Sequence, residues 1–181
     1  MELFRNFGKL IGQCTMLLAI IPLSCLAFAI SNDDSDEGSR HRTVQEMYNE
    51  YKKSFPGVPD ISAKEAIEKN KQGKVIFVDV RKAEEKNISM LPGAITEREL
   101  LLNPQRYKNH LIIAYCTIGY RSGKLSEKLQ KQGIRMVNLR GGILAWLHAG
   151  GTVYRKGKPV NRVHIFGKKW DLAPSDVESV G

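Results

Sequence analysis

The chain has 181 residues and a formal charge of +9, from 28 Lys and Arg against 19 Asp and Glu. About 150 residues follow an N-terminal apolar stretch, enough for one compact domain with its own core. The basic residues are scattered over solvated positions and no nucleic-acid motif accompanies them, which excludes nucleic acid as the expected partner.

Arg5 and Lys9 precede an uncharged run of 21 residues, Leu10 to Ile30, which holds Ala27-Phe28-Ala29 near its end. A basic flank, an apolar run and an A-x-A site describe a signal peptide. The same run is long enough for a membrane-anchor helix. Either reading exports the rest of the chain to a periplasmic or other extracytoplasmic space, soluble after cleavage or tethered through residues 10–30. Lipid attachment at Cys25 is a third option, and Pro22-Leu23-Ser24 fits it poorly.

Ser31 to Arg40 is acidic and has no apolar residue, so it reads as a linker. Thr43 is expected to cap a short helix through Lys53, which Pro56-Gly57-Val58-Pro59 ends. Ser62-Ala63-Lys64-Glu65 resembles a capping box opening a helix to about Asn70, closed by Gly73. Val75 to Val80 reads as a strand buried on both faces. Pro92-Gly93 turns the chain, Thr96 caps a helix over Glu97 to Leu102, and Pro104 breaks it. A second apolar strand, Leu111 to Tyr115, is followed by a helical pattern from Ser122 to Gln132 with Gly133 as its stop. Met136 to Leu139 is a further strand, and Gly141-Gly142 precedes a helix over Ile143 to His148. Strands alternating with helices predict an α/β fold, an open parallel sheet with helices on both faces. Past Thr152 the alternation around Val163 to Phe166 predicts an edge strand, and Trp170, Leu172 and Pro174 suggest an arm laid back on the domain. The expected organisation is thus signal or anchor over 1–30, linker and short helix over 31–58, the main domain over 59–153, and a basic arm over 154–181.

Chemistry concentrates in Cys116-Thr117-Ile118-Gly119-Tyr120-Arg121, which joins a strand to a helix. Cys14 and Cys25 lie in the apolar run, so Cys116 is alone in the part that folds in water. No intradomain disulfide or cysteine-based metal site can be assembled, and no metal or cofactor is expected. The strand–loop–helix order puts the sulfur over a helix N-terminus, where free N–H groups and the helix dipole favour an anion. The thiolate is the nucleophilic form, Gly119 lets the loop turn its amides inward, and Arg121 adds a positive charge. Asp79 and Arg81, at the end of another strand, are supporting candidates on the same side of the sheet. Their bland reading is an ion pair that ties down a loop.

Taken together, Val78-Asp79-Val80-Arg81 with Glu84-Glu85, Leu91-Pro92-Gly93-Ala94, Tyr115-Cys116 through Arg121-Ser122, and Asn138-Leu139-Arg140-Gly141-Gly142-Ile143 with Ala145-Trp146 resemble the rhodanese-like domain, the fold of thiosulfate sulfurtransferases. The resemblance spans roughly residues 61–152. It implies that Cys116 forms a persulfide, that residues 117–121 are the active loop, and that the partners are a small anionic sulfur donor and a thiol or cyanide acceptor. Two positions depart from the family pattern: Ser89-Met90 stand where Gly-His is common, and Thr117 stands where Arg is frequent. Two rival readings remain at this level. One is a persulfide carrier or partner-binding module without turnover, and the other is a cysteine phosphatase, whose loops have five residues between Cys and Arg where this chain has four.

Overall fold

The computed structural model describes residues 36–181, so the signal-or-anchor run lies outside the described residues. Among the described residues no helix is long and apolar enough to cross a membrane.

A first helix, α1 (Asp36–Lys52), leads through the Pro56–Pro59 turn into a two-residue strand, β1 (Asp60–Ile61). Ser62 then caps α2 (Ala63–Lys71) with the complete capping box read from the sequence. Strand β2 (Val75–Asp79) precedes a short helix, α3 (Ala83–Ile88), and β3 (Ile95–Thr96). Thr96 caps α4 (Glu97–Leu102) by the same reciprocal device, its hydroxyl accepting from Glu99 N–H while Glu99 accepts from Thr96 N–H. The core strand β4 (Leu111–Tyr115) enters the cysteine loop and α5 (Tyr120–Gln130). Strand β5 (Val137–Leu139) and α6 (Gly142–His148) complete the alternating part.

Five strands form one parallel sheet in the order β1-β5-β4-β2-β3. Because side chains alternate along a strand, β2 and β4 feed two separate apolar layers. Phe77, Ile113 and Tyr115 meet α1, α2 and α6 on one face. Val78, Ile112 and Ala114 meet Leu100 of α4 and Leu129 of α5 on the other. This is the open parallel sheet covered on both faces that the sequence predicts.

The linker expected over Ser31–Arg40 is instead helical from Asp36 onward. Asp36 and Glu37 sit at the helix N-terminus, where acidic side chains are stabilised, and Arg40 bonds Asp36 one turn away at 2.9 Å. Long-range ties hold this turn as well. Glu37 lies 2.8 Å from His148 Nδ1 and accepts from Ser175 N–H at 3.0 Å. Thr43 does not cap the helix; it lies inside it and its hydroxyl donates to the Ser39 carbonyl.

Beyond α6 a hairpin of β6 (Val153–Arg155) and β7 (Lys158–Val160) is followed by β8 (Arg162–His164). The expected edge strand does not join the main sheet. It pairs in parallel with β9 (Glu178–Val180) at the C-terminus. Val163, Ile165 and Ala173 are buried in the same core as α1 and α6, so the arm is packed into the domain.

Candidate active site

Cys116 follows β4 directly, and its side chain is buried. The loop from Cys116 to Gly119 is shaped by what happens to its carbonyl groups. Ile143 N–H, at the start of α6, donates to the Cys116 carbonyl at 2.9 Å, and Leu144 N–H donates to that of Thr117 at 3.3 Å. The buried Asn138 on β5 donates through Nδ2 to the Gly119 carbonyl at 2.8 Å. With three carbonyls drawn outward, the amide of Gly119 is left to donate to Cys116 Sγ, at 3.1 Å. The sulfur therefore lies at the N-terminus of α5 with a backbone N–H aimed at it.

Two glycines make this geometry possible. Gly119 has φ 114°, and a Cβ there would lie 2.7 Å from the Tyr48 ring. Gly142 has φ 59°, and a Cβ would lie 2.4 Å from the Cys116 carbonyl oxygen. Any side chain at either position pushes the loop away from its hydrogen-bond partners.

Arg121 is not the free cation that the sequence suggests. Its guanidinium makes a two-pronged bond with Glu85 of α3, Nη1 to Oε2 at 2.6 Å and Nη2 to Oε1 at 2.7 Å. Nη2 also donates to Thr117 Oγ1 at 3.0 Å, and that hydroxyl donates to Glu85 Oε1. Burial alone raises the Glu85 pKa, but the hydrogen bonds from Arg121 and from Lys82 N–H, with the charges of Arg121 and Arg81, bring it down to about 2. Burial acts to lower the Arg121 pKa, and the bond to Glu85 together with the charges of Cys116 and Glu85 raises it. The pair therefore stays ionised, and the loop's one guanidinium is neutralised by a carboxylate.

Asp79 and Arg81 stand apart from the sulfur. Their ion pair is fully buried, with Arg81 Nη2 2.7 Å from Asp79 Oδ2. Tyr115 donates its hydroxyl to Asp79 and accepts Leu91 N–H at 3.0 Å, while Arg81 also donates to the Ser89 carbonyl. The network fastens the ends of β2 and β4 to the Leu91-Pro92 segment, and neither residue lines the pocket over Cys116. Their support for the site is indirect, through the Arg81 charge felt at Glu85.

That pocket has a volume of about 230 Å³. Thr117, Ile118, Tyr120 and Arg121 of the predicted loop border it, joined by Tyr51 of α1 and by Phe166 and Trp170 of the C-terminal arm. No histidine lines it. Among the described residues no group of three or more His, Cys, Asp or Glu is arranged to hold a metal ion.

The model of the rhodanese-like domain family matches residues 62–149. A protein of Allochromatium vinosum named sulfurtransferase is 37% identical over 81 residues, which cover 42% of this chain and 75% of that protein. A Bacillus subtilis protein, YtwF, is 33% identical over 88 residues, covering 46% of this chain and 82% of that one. The chain belongs to the rhodanese-like family. The crystal structure of a thiosulfate sulfurtransferase from Pseudomonas aeruginosa superposes with a TM-score of 0.51 at 19% identity, over 72% of this chain and 26% of that one, and so shares the fold.

Around the site of this rhodanese-like protein, sequence reasoning missed Glu85 inside the matched domain and Tyr51, Phe166 and Trp170 outside it. Glu85 had a signal: it is the second of the paired acids Glu84-Glu85 in a motif of the family, in the helix that directly follows the Asp79–Arg81 strand end. Asn138 stands in one of the family motifs with no role of its own legible there, and its buried amide is what holds the Gly119 carbonyl. The aromatic residues of the arm had none, because nothing local in residues 154–181 tells which surface they cover.

Proposed function

We propose that this protein is a sulfurtransferase in which Cys116 carries sulfane sulfur as a persulfide. The observation that carries this reading is Cys116 Sγ beneath a pocket, at the N-terminus of α5, receiving Gly119 N–H at 3.1 Å. Membership of the rhodanese-like family and the naming of the Allochromatium vinosum relative support it. The Cys116 thiolate attacks the outer sulfur of a donor such as thiosulfate. A bond from Sγ to that sulfur forms, the donor's S–S bond breaks, and its electron pair leaves with sulfite. A thiolate or cyanide acceptor then removes the sulfur and restores Cys116. Splitting the transfer in this way is covalent catalysis, with ping-pong kinetics as its signature. The loop amide and helix terminus stabilise the sulfur anion in both halves. Residues 117–121 form the anion-binding loop in this scheme, with Asp79 and Arg81 holding strand ends behind it.

A second reading, a persulfide carrier with little turnover, is favoured by one observation: Glu85 neutralises the loop's guanidinium and so weakens its hold on a dianionic donor. Phosphatase chemistry is disfavoured by the same pair, since an arginine engaged with Glu85 is not free to grip a phosphate. Incubation with thiosulfate and cyanide, read as thiocyanate, separates these readings. The wild-type protein is expected to turn over, and Cys116→Ala to produce nothing. Turnover surviving in C116A overturns the mechanism. A mass gain of about 32 Da on Cys116 without thiocyanate selects the carrier, since that gain is one sulfur held covalently.

An exported location belongs to the same proposal, resting on the basic flank and apolar run of residues 1–30. Fractionation of cells followed by N-terminal sequencing tests it. A protein starting near Ser31 in the extracytoplasmic fraction supports a cleaved signal. An intact N-terminus in the membrane fraction supports an anchor, and an intact protein in the cytoplasmic fraction overturns export.

A further inference from the structure

Four aromatic side chains surround the approach to Cys116, and they come from three separate parts of the chain: Tyr51 of α1, Tyr120 at the start of α5, and Phe166 and Trp170 of the arm. They are already arranged as two edge-to-face pairs, Tyr51 with Tyr120 and Phe166 with Trp170, each with ring centroids 5.3 Å apart. Tyr120 and Phe166 remain 44% and 48% exposed beside the reactive sulfur, an apolar rim left open among the described residues. The one guanidinium in the pocket is neutralised by Glu85, and Phe166 lies over it at 5.1 Å. Lys82 and Lys169 lie at the outer edge, over Phe166 at 5.8 Å and Trp170 at 5.7 Å, and neither lines the pocket. Inside it a dianion such as thiosulfate thus meets mainly aromatic surface and a neutralised guanidinium. Meanwhile the pocket, at about 230 Å³, is larger than the roughly 150 Å³ apolar cavity that accommodates a benzene ring.

Resting on the sulfurtransferase reading, we infer that the preferred donor is an organic sulfane-sulfur compound with an aryl-sized apolar group next to its sulfur, seated among Tyr51, Tyr120, Phe166 and Trp170. An arylthiosulfonate exemplifies the class. Cys116 thiolate attacks its terminal sulfur, the Sγ–S bond forms, the bond to the sulfonyl sulfur breaks, and the electron pair departs on the arylsulfinate. Cyanide then takes the sulfur as thiocyanate and regenerates the thiolate, so charge and atoms balance without an oxidant or reductant.

The test compares benzenethiosulfonate with methanethiosulfonate, monoanions that transfer the same sulfur and differ in the apolar group. The full chain is used with cyanide as acceptor, and each kcat/KM is divided by the compound's rate with free cysteine. The corrected ratio is expected to favour the benzene compound by about tenfold or more, as burial of much of a phenyl ring predicts. Being a ratio within one protein, it is insensitive to the fraction of a variant that folds. Phe166→Ala with Trp170→Ala should bring it to within about twofold of unity, and Tyr120→Ala, which leaves the arm intact, should lower it several-fold. Phe166→Leu, which keeps an apolar side chain, should retain most of it. A wild-type ratio near one, with both compounds turned over, overturns this inference and leaves the sulfurtransferase reading standing. No sulfur on Cys116 from either compound overturns that reading, and this inference with it.

Discussion

Glu85 sits with its carboxylate buried against Arg121 and Thr117, and its pKa is displaced from an ordinary 4.5 to about 2. A carboxyl whose folded value is depressed stabilises the fold at pH above its unfolded value, and the benefit is lost as pH falls through the folded one. The displacement corresponds to up to about 3 kcal/mol, gone progressively between roughly pH 5 and pH 2. Urea unfolding of the wild-type protein should show that slope, and Glu85→Gln should be flatter over the same window. At neutral pH E85Q should be less stable by about 2 kcal/mol, because it strips the counter-charge from a half-buried guanidinium. Gly119 gives a second prediction at this scale. Gly119→Ala forces a side chain onto φ 114° and to 2.7 Å from Tyr48, so it should cost about 2–3 kcal/mol. It should also move the Gly119 amide off Sγ and depress thiocyanate formation at least about tenfold, the expected consequence of losing one oxyanion-type donor. A G119A protein with wild-type kinetics would remove that amide from the mechanism.

Helix α5 meets α1 and the turn after it, and Gly123 faces the Phe55 ring of that turn. A Cβ on Gly123 would lie 2.3 Å from the Phe55 ring, which is fully buried. Intrinsic propensity favours Ala over Gly inside a helix by about 1 kcal/mol. Overpacking costs about 1–3 kcal/mol, and a buried ring hemmed in by Tyr48 and Tyr120 has little room to yield. Gly123→Ala is therefore expected to destabilise by about 1–2 kcal/mol net, measured as a shift in the urea midpoint. A stabilised G123A would show that Phe55 can move aside. Among the elements themselves, those with local signatures were legible. Ser62 with Glu65 and Thr96 with Glu99 start α2 and α4 where the sequence says, because a capping box is closed within four residues. The first turn of α1 and the whole of α3 were not legible. Residues 36–40 have no apolar face, and their hold comes from His148, Ala173 and Ser175, far along the chain. Helix α3 has six residues, too few to show a period, and its buried member is a glutamate.

The C-terminal arm is as much a part of the core as the alternating strands and helices. Val153, Val163, Ile165 and Ala173 are all at most 5% exposed. Removing residues 153–181 uncovers these contacts, at about 1.5–3 kcal/mol for each large apolar side chain. That sum is comparable to the whole stability of an ordinary domain, about 5–15 kcal/mol. A chain ending at Thr152 should accordingly lose cooperative thermal unfolding, followed by circular dichroism and by proteolysis, although the family match ends at residue 149. A truncated protein that melts cooperatively near the wild-type temperature would show the arm to be an accessory.

Taken alone, the chain of letters specified the parallel sheet, its helices other than α3 and the strand–cysteine–helix junction, since each rests on patterns that close within a few residues: apolar runs, caps and turn-forming glycines. It also carried the family motifs in order. Only the folded molecule decided that Arg121 is neutralised by Glu85, 36 residues away, that Asp79 and Arg81 are buried behind the loop, and that Phe166 and Trp170 wall the pocket over Cys116. Those are contacts between distant segments, set by how a twisted sheet and its covering helices bring chain ends together, and no local pattern encodes them.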